Sequence, residues 1–191
     1  FVLIALTSIV SGSFGQSYSS IESVDYDPTQ NRFLVSNGTS IIARASNGDL
    51  SFFGDARANY GMEVMNGTLF GIYNSSVRAY DLETEELLST LSISGTSFLN
   101  GMASDPATNR IWITDFGNGE IHEIDASDPT DMSAMEVADI SGSPNGITYE
   151  AANDRCLIGM WGNNASIREM DLSDYTVSTV ISTGLGNIDG I

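Results

Sequence analysis

Short apolar segments alternate with turn residues along this chain, and the pattern repeats about every 40 residues. A small residue followed by a branched or thioether residue marks the start of each unit. These marker pairs are Ser23-Val24, Gly61-Met62, Gly101-Met102, Gly146-Ile147 and Gly190-Ile191. Their separations of 38, 40, 45 and 44 residues are typical of four-stranded β-propeller blades.

Turn residues divide each unit into four segments of strand character. The sequence of residues 27–32, Asp-Pro-Thr-Gln-Asn-Arg, recurs at 105–110 and more loosely at 150–155, and Asn66-Gly67 takes its place in the second unit. Pro and Asn favour a turn between two strands. The second segment is apolar, the third alternates apolar and polar residues, and the fourth is more variable, which suits the solvated rim of a propeller.

The repeats predict an all-β protein, a β-propeller over residues 21–191 with blades at about 21–58, 59–98, 99–143 and 144–186. Residues 187–191 are predicted to begin a fifth blade. An open arc leaves edge strands unpaired, whereas closed propellers avoid this. We therefore expect the sequence to be truncated at its C-terminal end and the whole protein to close a ring of about six blades.

Residues 1–10 form an apolar run too short to cross a bilayer, and small residues follow it up to Gly15. This pattern predicts that residues 1–15 are the remnant of a signal peptide, followed by a short linker at 16–20. The alternative is a buried first strand. A signal peptide implies a secreted protein, extracellular or periplasmic.

The formal net charge of −18 argues against nucleic acid and membranes as partners, because both present negative charge. Cys156 is the only cysteine, so an intrachain disulfide is impossible and stability must come from packing or bound metal. The only histidine, His122, lies in an alternating segment and is predicted to be a blade-face residue. A Ser-His-Asp hydrolase is therefore hard to build.

The residue before each marker pair is expected to project near the propeller axis, because the first strand of each blade lines the central channel. These residues are Glu22, Tyr60, Asn100, Asn145 and Asp189. Four of the five carry carboxylate or amide oxygen atoms, and two of those four are carboxylates. Carboxylate and amide oxygens are the ligands that Ca²⁺ prefers.

The order of these residues resembles that of the gluconolactonase and regucalcin (senescence marker protein) family of six-bladed propellers, in which a glutamate opens the first blade and the second provides no ligand. Glu22-Ser23-Val24, Asn100-Gly101-Met102, residues 143–147 (Ser-Pro-Asn-Gly-Ile) and residues 188–191 (Ile-Asp-Gly-Ile) are similar to the family's motifs for blades one, three, four and five. The resemblance implies a divalent cation, usually Ca²⁺, coordinated by Glu22, Asn145 and Asp189, with Asn100 near the metal or the substrate. It also implies that the metal polarises a lactone or ester carbonyl, while Asp189 helps to activate water.

One position departs from the family pattern. Phe98 stands two residues before Asn100, where lactonases of this family place a substrate-contacting arginine. An apolar side chain there argues against a sugar lactone and leaves a more hydrophobic ester, or no substrate at all. Because Asn-Gly and Asp-Gly are ordinary turn dipeptides, the alternative is a non-catalytic propeller, similar to NHL or YVTN repeat proteins, that binds a protein or a glycan.

Overall fold

The computed structural model describes residues 16–191, and this part of the chain forms four antiparallel sheets of four strands each, without a helix. Blade 1 contains β1 (Ile21–Asp27), β2 (Arg32–Asn37), β3 (Ser40–Ala45) and β4 (Leu50–Phe52). Blade 2 contains β5 (Met62–Met65), β6 (Thr68–Tyr73), β7 (Ser76–Asp81) and β8 (Leu87–Ser92). Blade 3 contains β9 (Leu99–Asp105), β10 (Arg110–Asp115), β11 (Glu120–Asp125) and β12 (Ser133–Asp139). Blade 4 contains β13 (Ser143–Glu150), β14 (Arg155–Trp161), β15 (Ser166–Asp171) and β16 (Val177–Ser182).

Strands that follow one another in the chain are hydrogen-bonded neighbours in every sheet, and the sheets are arranged as the blades of a propeller. The predicted all-β propeller architecture is confirmed. The predicted signal peptide lies outside the described residues, so it stays a prediction. No helix among residues 16–191 is long and apolar enough to cross a membrane.

The repeated turn between the first and second strands of a blade has one conformation in three blades. Asn31, Asn109 and Asp154 occupy the same place in it, with positive φ angles of 52°, 57° and 50°. Asn and Asp tolerate this left-handed region better than other non-glycine residues. In blade 2 the shorter Asn66-Gly67 turn has φ angles of 49° and 84°, as a two-residue hairpin loop requires.

The hydrophobic core lies between the blades, in three clusters that alternate with the four sheets. Leu34, Phe53 and Leu82 belong to the cluster between blades 1 and 2, and Trp112 belongs to the one between blades 3 and 4. Burial raises the pKa of the Cys156 thiol in this last cluster to about 12. Each blade therefore buries both of its faces only where it has a neighbour on both sides.

The small marker residues allow neighbouring first strands to approach closely. A Cβ atom on Gly101 would lie 2.3 Å from the Asn145 carbonyl oxygen, and one on Gly61 would lie 2.8 Å from the Asn100 carbonyl oxygen. The Gly61 N–H also donates to the Asn100 carbonyl at 2.9 Å. Close backbone contact is thus the physical reason why a small residue recurs at these positions.

A buried ion-pair network joins blades 1 and 2 at the C-terminal end of the first strand of blade 1, beside the turn to its second strand. This end of the first strands is called the far end below. Arg32 donates from Nε to Asp27 at 2.9 Å, from one terminal nitrogen to Glu85 at 2.6 Å, and from the other to the Leu82 carbonyl at 3.2 Å. The Thr29 hydroxyl donates to the other Asp27 oxygen at 2.6 Å. Burial alone would raise the Asp27 pKa, but these hydrogen bonds outweigh it and lower the pKa below its usual value.

Residues 187–191, predicted to begin a fifth blade, form no strand in the structure. They run beside β13 of blade 4, where the Asp189 carbonyl oxygen lies 2.9 Å from the point that a Cβ on Gly146 would occupy. The Ile188 N–H donates to the Met160 carbonyl at 3.2 Å. This segment therefore brings Asp189 against blade 4.

Candidate functional site

A β-bulge lies at each predicted donor residue of blades 1, 3 and 4. In β1 the bulge falls between Ile21 and Val24, in β9 between Leu99 and Met102, and in β13 between Pro144 and Ile147. In each case the predicted donor and its small marker lie opposite a single residue of the second strand, and these pairs are Glu22-Ser23, Asn100-Gly101 and Asn145-Gly146. A bulge interrupts the ladder and redirects a side chain. Here the three bulges occur at the positions of Glu22, Asn100 and Asn145, which carry oxygen donors.

Hydroxyl groups on the second strands bind the backbone N–H groups that two of these bulges leave without a ladder partner. Ser36 accepts from the Ser23 N–H at 2.8 Å, and Thr114 accepts from the Gly101 N–H at 2.7 Å. Thr114 also donates to the Asn145 carbonyl of the next blade at 2.8 Å. Both hydroxyl residues are fully buried, so these contacts fix the bulges.

The bulges bring the predicted donors to one cavity, which we call the channel pocket. It has a volume of about 240 Å³, and its lining includes Glu22, Asn100, Asn145 and Asp189 together with the marker residues. Tyr60, the predicted position in blade 2, has no carboxylate or amide and does not line the pocket. The structure thus places the four predicted oxygen donors around one space.

Three of the four donors form a directional chain of hydrogen bonds. The Asn100 amide Nδ2 donates to Asn145 Oδ1, and Asn145 Nδ2 donates to Asp189 Oδ1 at 2.9 Å and to the Ile188 carbonyl at 3.1 Å. Asn145 is 3% exposed, so this pattern fixes its orientation. The Asn100 Oδ1 atom accepts no hydrogen bond in the described structure and is free to bind a ligand.

The donor set fits a divalent hard cation. Glu22 and Asp189 provide carboxylates, and Asn100 and Asn145 provide amide oxygens, while the Asn145 oxygen has a second lone pair beside the one that Asn100 uses. No thiol and no imidazole lines the pocket, and the sulfur atoms in its lining are the weakly binding thioethers of Met62 and Met102, so the four oxygen donors suit Ca²⁺ better than a soft metal. The role of Glu22, Asn145 and Asp189 as metal ligands stays a prediction.

Glu63 is a carboxyl group of the channel pocket that the sequence analysis did not identify. Its Oε2 accepts a hydrogen bond from the Ser104 hydroxyl at 2.7 Å. Burial, followed by the charge of Asp25, raises the Glu63 pKa to about 7, although the Ser104 hydrogen bond opposes the increase. Glu63 can therefore gain or lose a proton near neutral pH.

The sequence contained a signal for this group. Glu63 and Asp25 each stand two residues after the small residue of their marker pair. Burial also raises the pKa of Asp25, while a hydrogen bond from the Val64 N–H opposes the increase. Comparing blades position by position beyond the marker pair would have found both acids.

A row of four aromatic rings crosses blades 2, 3 and 4 at the end of the blades where their first strands begin. Neighbouring ring centroids are 4.8 Å apart for Tyr60 and Phe98, 5.4 Å for Phe98 and Phe116, and 6.4 Å for Phe116 and Trp161. Phe98 itself does not line the pocket. Its predicted position near the substrate stays a prediction, and in the structure its ring belongs to this row. Trp161 is 41% exposed, whereas Trp112 is buried.

No protein-family model matches the chain, and no curated protein matches it in sequence. Among solved structures, it is similar to a luciferin-regenerating enzyme, with a TM-score of 0.69 and 13% identity over 89% of this chain. It is also similar to a chain of a nidogen/laminin complex, with a TM-score of 0.72 and 15% identity over 92% of this chain. Both neighbours are β-propellers. Likeness at these identities shows the fold alone.

The described propeller is shorter than these neighbours. The chain spans 65% of the luciferin-regenerating enzyme and 68% of the chain in the nidogen/laminin complex. An activity or partner of the whole protein is therefore a matter for proposal.

Proposed function

We propose that this protein is a secreted, metal-dependent hydrolase of hydrophobic lactones or esters, of the gluconolactonase and regucalcin type. One observation carries the proposal: Glu22, Asn100, Asn145 and Asp189, on three blades and the segment after blade 4, line one pocket. A divalent cation, most simply Ca²⁺, would be held there by Glu22, Asn145 and Asp189, with Asn100 beside it. When bound, it would polarise the substrate carbonyl and stabilise the oxyanion.

Two carboxyl groups of the channel pocket divide the proton transfers between them. Asp189 is exposed at the pocket edge and accepts a proton from the attacking water, whose oxygen bonds to the carbonyl carbon. The carbon–oxygen bond to the leaving group then breaks, and Glu63 donates its proton to the leaving alkoxide. A pKa of about 7 suits Glu63 to this acid role, because a useful fraction of it is protonated at neutral pH.

The aromatic row supports a hydrophobic substrate. Phe98 stands beside Tyr60 and Phe116, and none of the four rings in the row carries a charge. The pocket itself is acidic, and the chain carries a net charge of −18, so an anionic substrate would be repelled. A neutral lactone or ester with an apolar chain fits both features.

Hydrolysis of neutral lactones and esters in the presence of Ca²⁺ tests the proposal. We expect turnover by the wild type and a loss of at least about 100-fold in the Glu22→Gln/Asp189→Asn double variant. The Glu83→Gln/Asp131→Asn double variant is the matched control, because it removes the same charges at exposed positions. Equal activity in the two double variants would show that the site is wrongly assigned.

Substrates with different leaving groups test the role of Glu63. Glu63→Gln should slow alkyl esters and lactones by about 100-fold or more, since their alkoxides need a proton. It should slow p-nitrophenyl esters far less, because a nitrophenolate leaves without one. Equal slowing of both substrate classes would contradict the assignment of Glu63 as a general acid.

The nidogen/laminin neighbour supports the second candidate, a non-catalytic propeller that binds a protein or a glycan outside the cell. That neighbour is part of a protein complex, and its similarity to this chain is as high as that of the enzyme. Under this candidate the channel pocket binds a cation for stability alone. The wild type would then be stabilised by Ca²⁺ but would hydrolyse no ester.

A further inference from the structure

Asp115, Glu120 and His122 lie together at the turn of the β10–β11 hairpin in blade 3. One potential ligand atom from each lies within 4.8 Å of those from the other two. None of the three lines the channel pocket. The group is therefore separate from the proposed hydrolase site.

The hairpin register explains why these side chains share one face. Asp115 is paired directly with Glu120, and His122 is paired with Ile113, two residues before Asp115. Side chains two residues apart on a strand point to the same side, and so do directly opposed residues of neighbouring strands. The spacing Asp-x₄-Glu-x-His in a hairpin with a four-residue turn thus converges on one point.

His122 has an unsatisfied nitrogen inside this group. Its side chain is 7% exposed, and its Nε2 atom is buried without a hydrogen-bond partner. The Glu120 Oε2 atom lies 3.7 Å from Nε2, too far for a hydrogen bond. Ligand atoms of a tetrahedral zinc ion, each about 2.0–2.2 Å from the metal, lie about 3.3–3.6 Å apart. The distance between Glu120 Oε2 and His122 Nε2 is therefore close to that between two zinc ligands, and the Asp115 ligand atom lies within 4.8 Å of those of the other two residues.

Asp115 is held in place by the backbone and keeps an available lone pair. Its Oδ1 accepts N–H groups from Phe98, Gly117 and Asn118 at 2.9–3.2 Å, whereas Oδ2 accepts only the Ser97 N–H at 2.7 Å. A carboxylate oxygen can accept two bonds, so Oδ2 has room for one more partner. Asp115 is fully buried.

A cavity of about 350 Å³ beside the group gives access from solvent. Glu120 and His122 line it, together with Ser94 and Gly95 of the segment between blades 2 and 3 and with Glu136 of β12. Water could fill an open coordination position from this side. Three protein ligands with one open position are a common zinc arrangement.

We infer that Asp115, Glu120 and His122 form a binding site for a borderline divalent metal ion such as Zn²⁺. One imidazole and two carboxylates are ligands that Zn²⁺ accepts, and the imidazole favours it over Ca²⁺. The bound ion satisfies the buried His122 nitrogen. Through Asp115 it also links the hairpin turn to the segment that enters β9.

Zinc-dependent melting of the whole chain tests the site. At about 100 times its dissociation constant, Zn²⁺ should raise the melting temperature by about 5–10 °C. The shift should be lost in Glu120→Gln, whose side chain is 25% exposed and whose loss the fold tolerates. It should persist in the matched control Glu136→Gln, which removes an exposed carboxylate at the same cavity, and in Glu22→Gln/Asp189→Asn.

The single histidine permits a direct observation. A ¹H–¹⁵N spectrum of the imidazole contains the signals of His122 alone, and Zn²⁺ should shift its Nε2 resonance in the wild type. The inference is overturned if Zn²⁺ leaves this resonance unchanged, or if Glu120→Gln and Glu136→Gln melt with equal zinc-dependent shifts. Failure of ester hydrolysis would leave these results unaffected, because they concern another part of blade 3.

Discussion

Acidic residues have different roles at the two ends of the first strands, the far end and the end at the channel pocket. At the far end, Asp27 is fully buried, and its oxygens accept from Thr29 and Arg32. At the channel pocket, Glu22 is exposed and accepts no hydrogen bond in the described structure. Acidic residues of the first kind stabilise the fold, whereas those of the second kind face a cavity and are available to a ligand.

The contrast extends to the backbone. The far-end turns of blades 1, 3 and 4 repeat one regular conformation with a left-handed residue before the arginine. The pocket end instead contains a bulge in each of these blades. Regular turns close the hairpins, and bulges present donor side chains to the axis. Local geometry therefore separates residues that stabilise the fold from residues that face the channel pocket more clearly than residue type does.

The largest effect on stability is expected at the far end. Arg32→Met leaves the buried Asp27 and its partner Glu85 without their cation, which should lower the free energy of unfolding by about 3–5 kcal/mol. Arg57→Met, at an exposed arginine, is the matched control and should change it by less than about 0.5 kcal/mol. Chemical denaturation of both variants measures the difference.

The pH dependence of the Arg32→Met defect sharpens this prediction. The folded-state pKa of Asp27 lies below its usual value, so the stabilisation is present above the unfolded pKa of about 3.9 and is lost as the pH falls through the folded pKa. The difference in the free energy of unfolding between the wild type and Arg32→Met should become smaller in acid. A gap that stays constant from pH 7 to pH 2 would contradict the role of the ion pair.

A smaller effect of opposite sign is expected at Glu63. Because its folded pKa of about 7 exceeds the usual glutamate value of 4.5, the free energy of unfolding should fall as the pH rises between these values. Glu63→Gln should remove this loss and stabilise the protein at pH 8 by about 1–2 kcal/mol, after discounting for partial solvent access. At pH 4 it should change little.

Glu83→Gln, an exposed replacement of the same kind, provides the control for Glu63. It should leave the stability within about 0.5 kcal/mol of wild type at both pH values. If both variants behave alike at pH 8, the desolvation of Glu63 is not a feature of the protein in solution.

The bulge in β9 depends on a single hydroxyl. Thr114→Val keeps the shape but removes the acceptor of the Gly101 N–H and the donor to the Asn145 carbonyl. We expect a loss of about 1–2 kcal/mol in the free energy of unfolding. Thr90→Val, at an exposed threonine of β8, controls for the loss of a hydroxyl. Equal losses in both variants would show that Thr114 has no special role at the bulge.

The fold was predictable from sequence because each blade of a propeller has a similar sequence pattern, so the architecture appears as a repeat. The marker pairs and the 27–32 turn motif located all four blades, since each glycine reflects a close backbone contact and each turn asparagine a left-handed residue. The convergence of Glu22, Asn145 and Asp189 on one pocket followed from the same geometry.

The remaining features depend on contacts that no single repeat contains. Ser104 of blade 3 binds Glu63 of blade 2, and the aromatic row takes its rings from three blades. The unsatisfied nitrogen of His122 likewise follows from burial beside the segment that joins blades 2 and 3. A residue's position in the repeat predicts the direction in which its side chain points. It does not predict which side chain of the next blade lies opposite.

Melting with and without Ca²⁺ tests the central claim, that the channel pocket binds a cation through Glu22 and Asp189. At about 10 mM Ca²⁺ the wild type and the Glu83→Gln/Asp131→Asn control should melt about 5–10 °C higher than without it, if the dissociation constant is about 0.1 mM. Glu22→Gln/Asp189→Asn should show no shift. An equal shift in this double variant, or no shift in the wild type, would contradict the assignment.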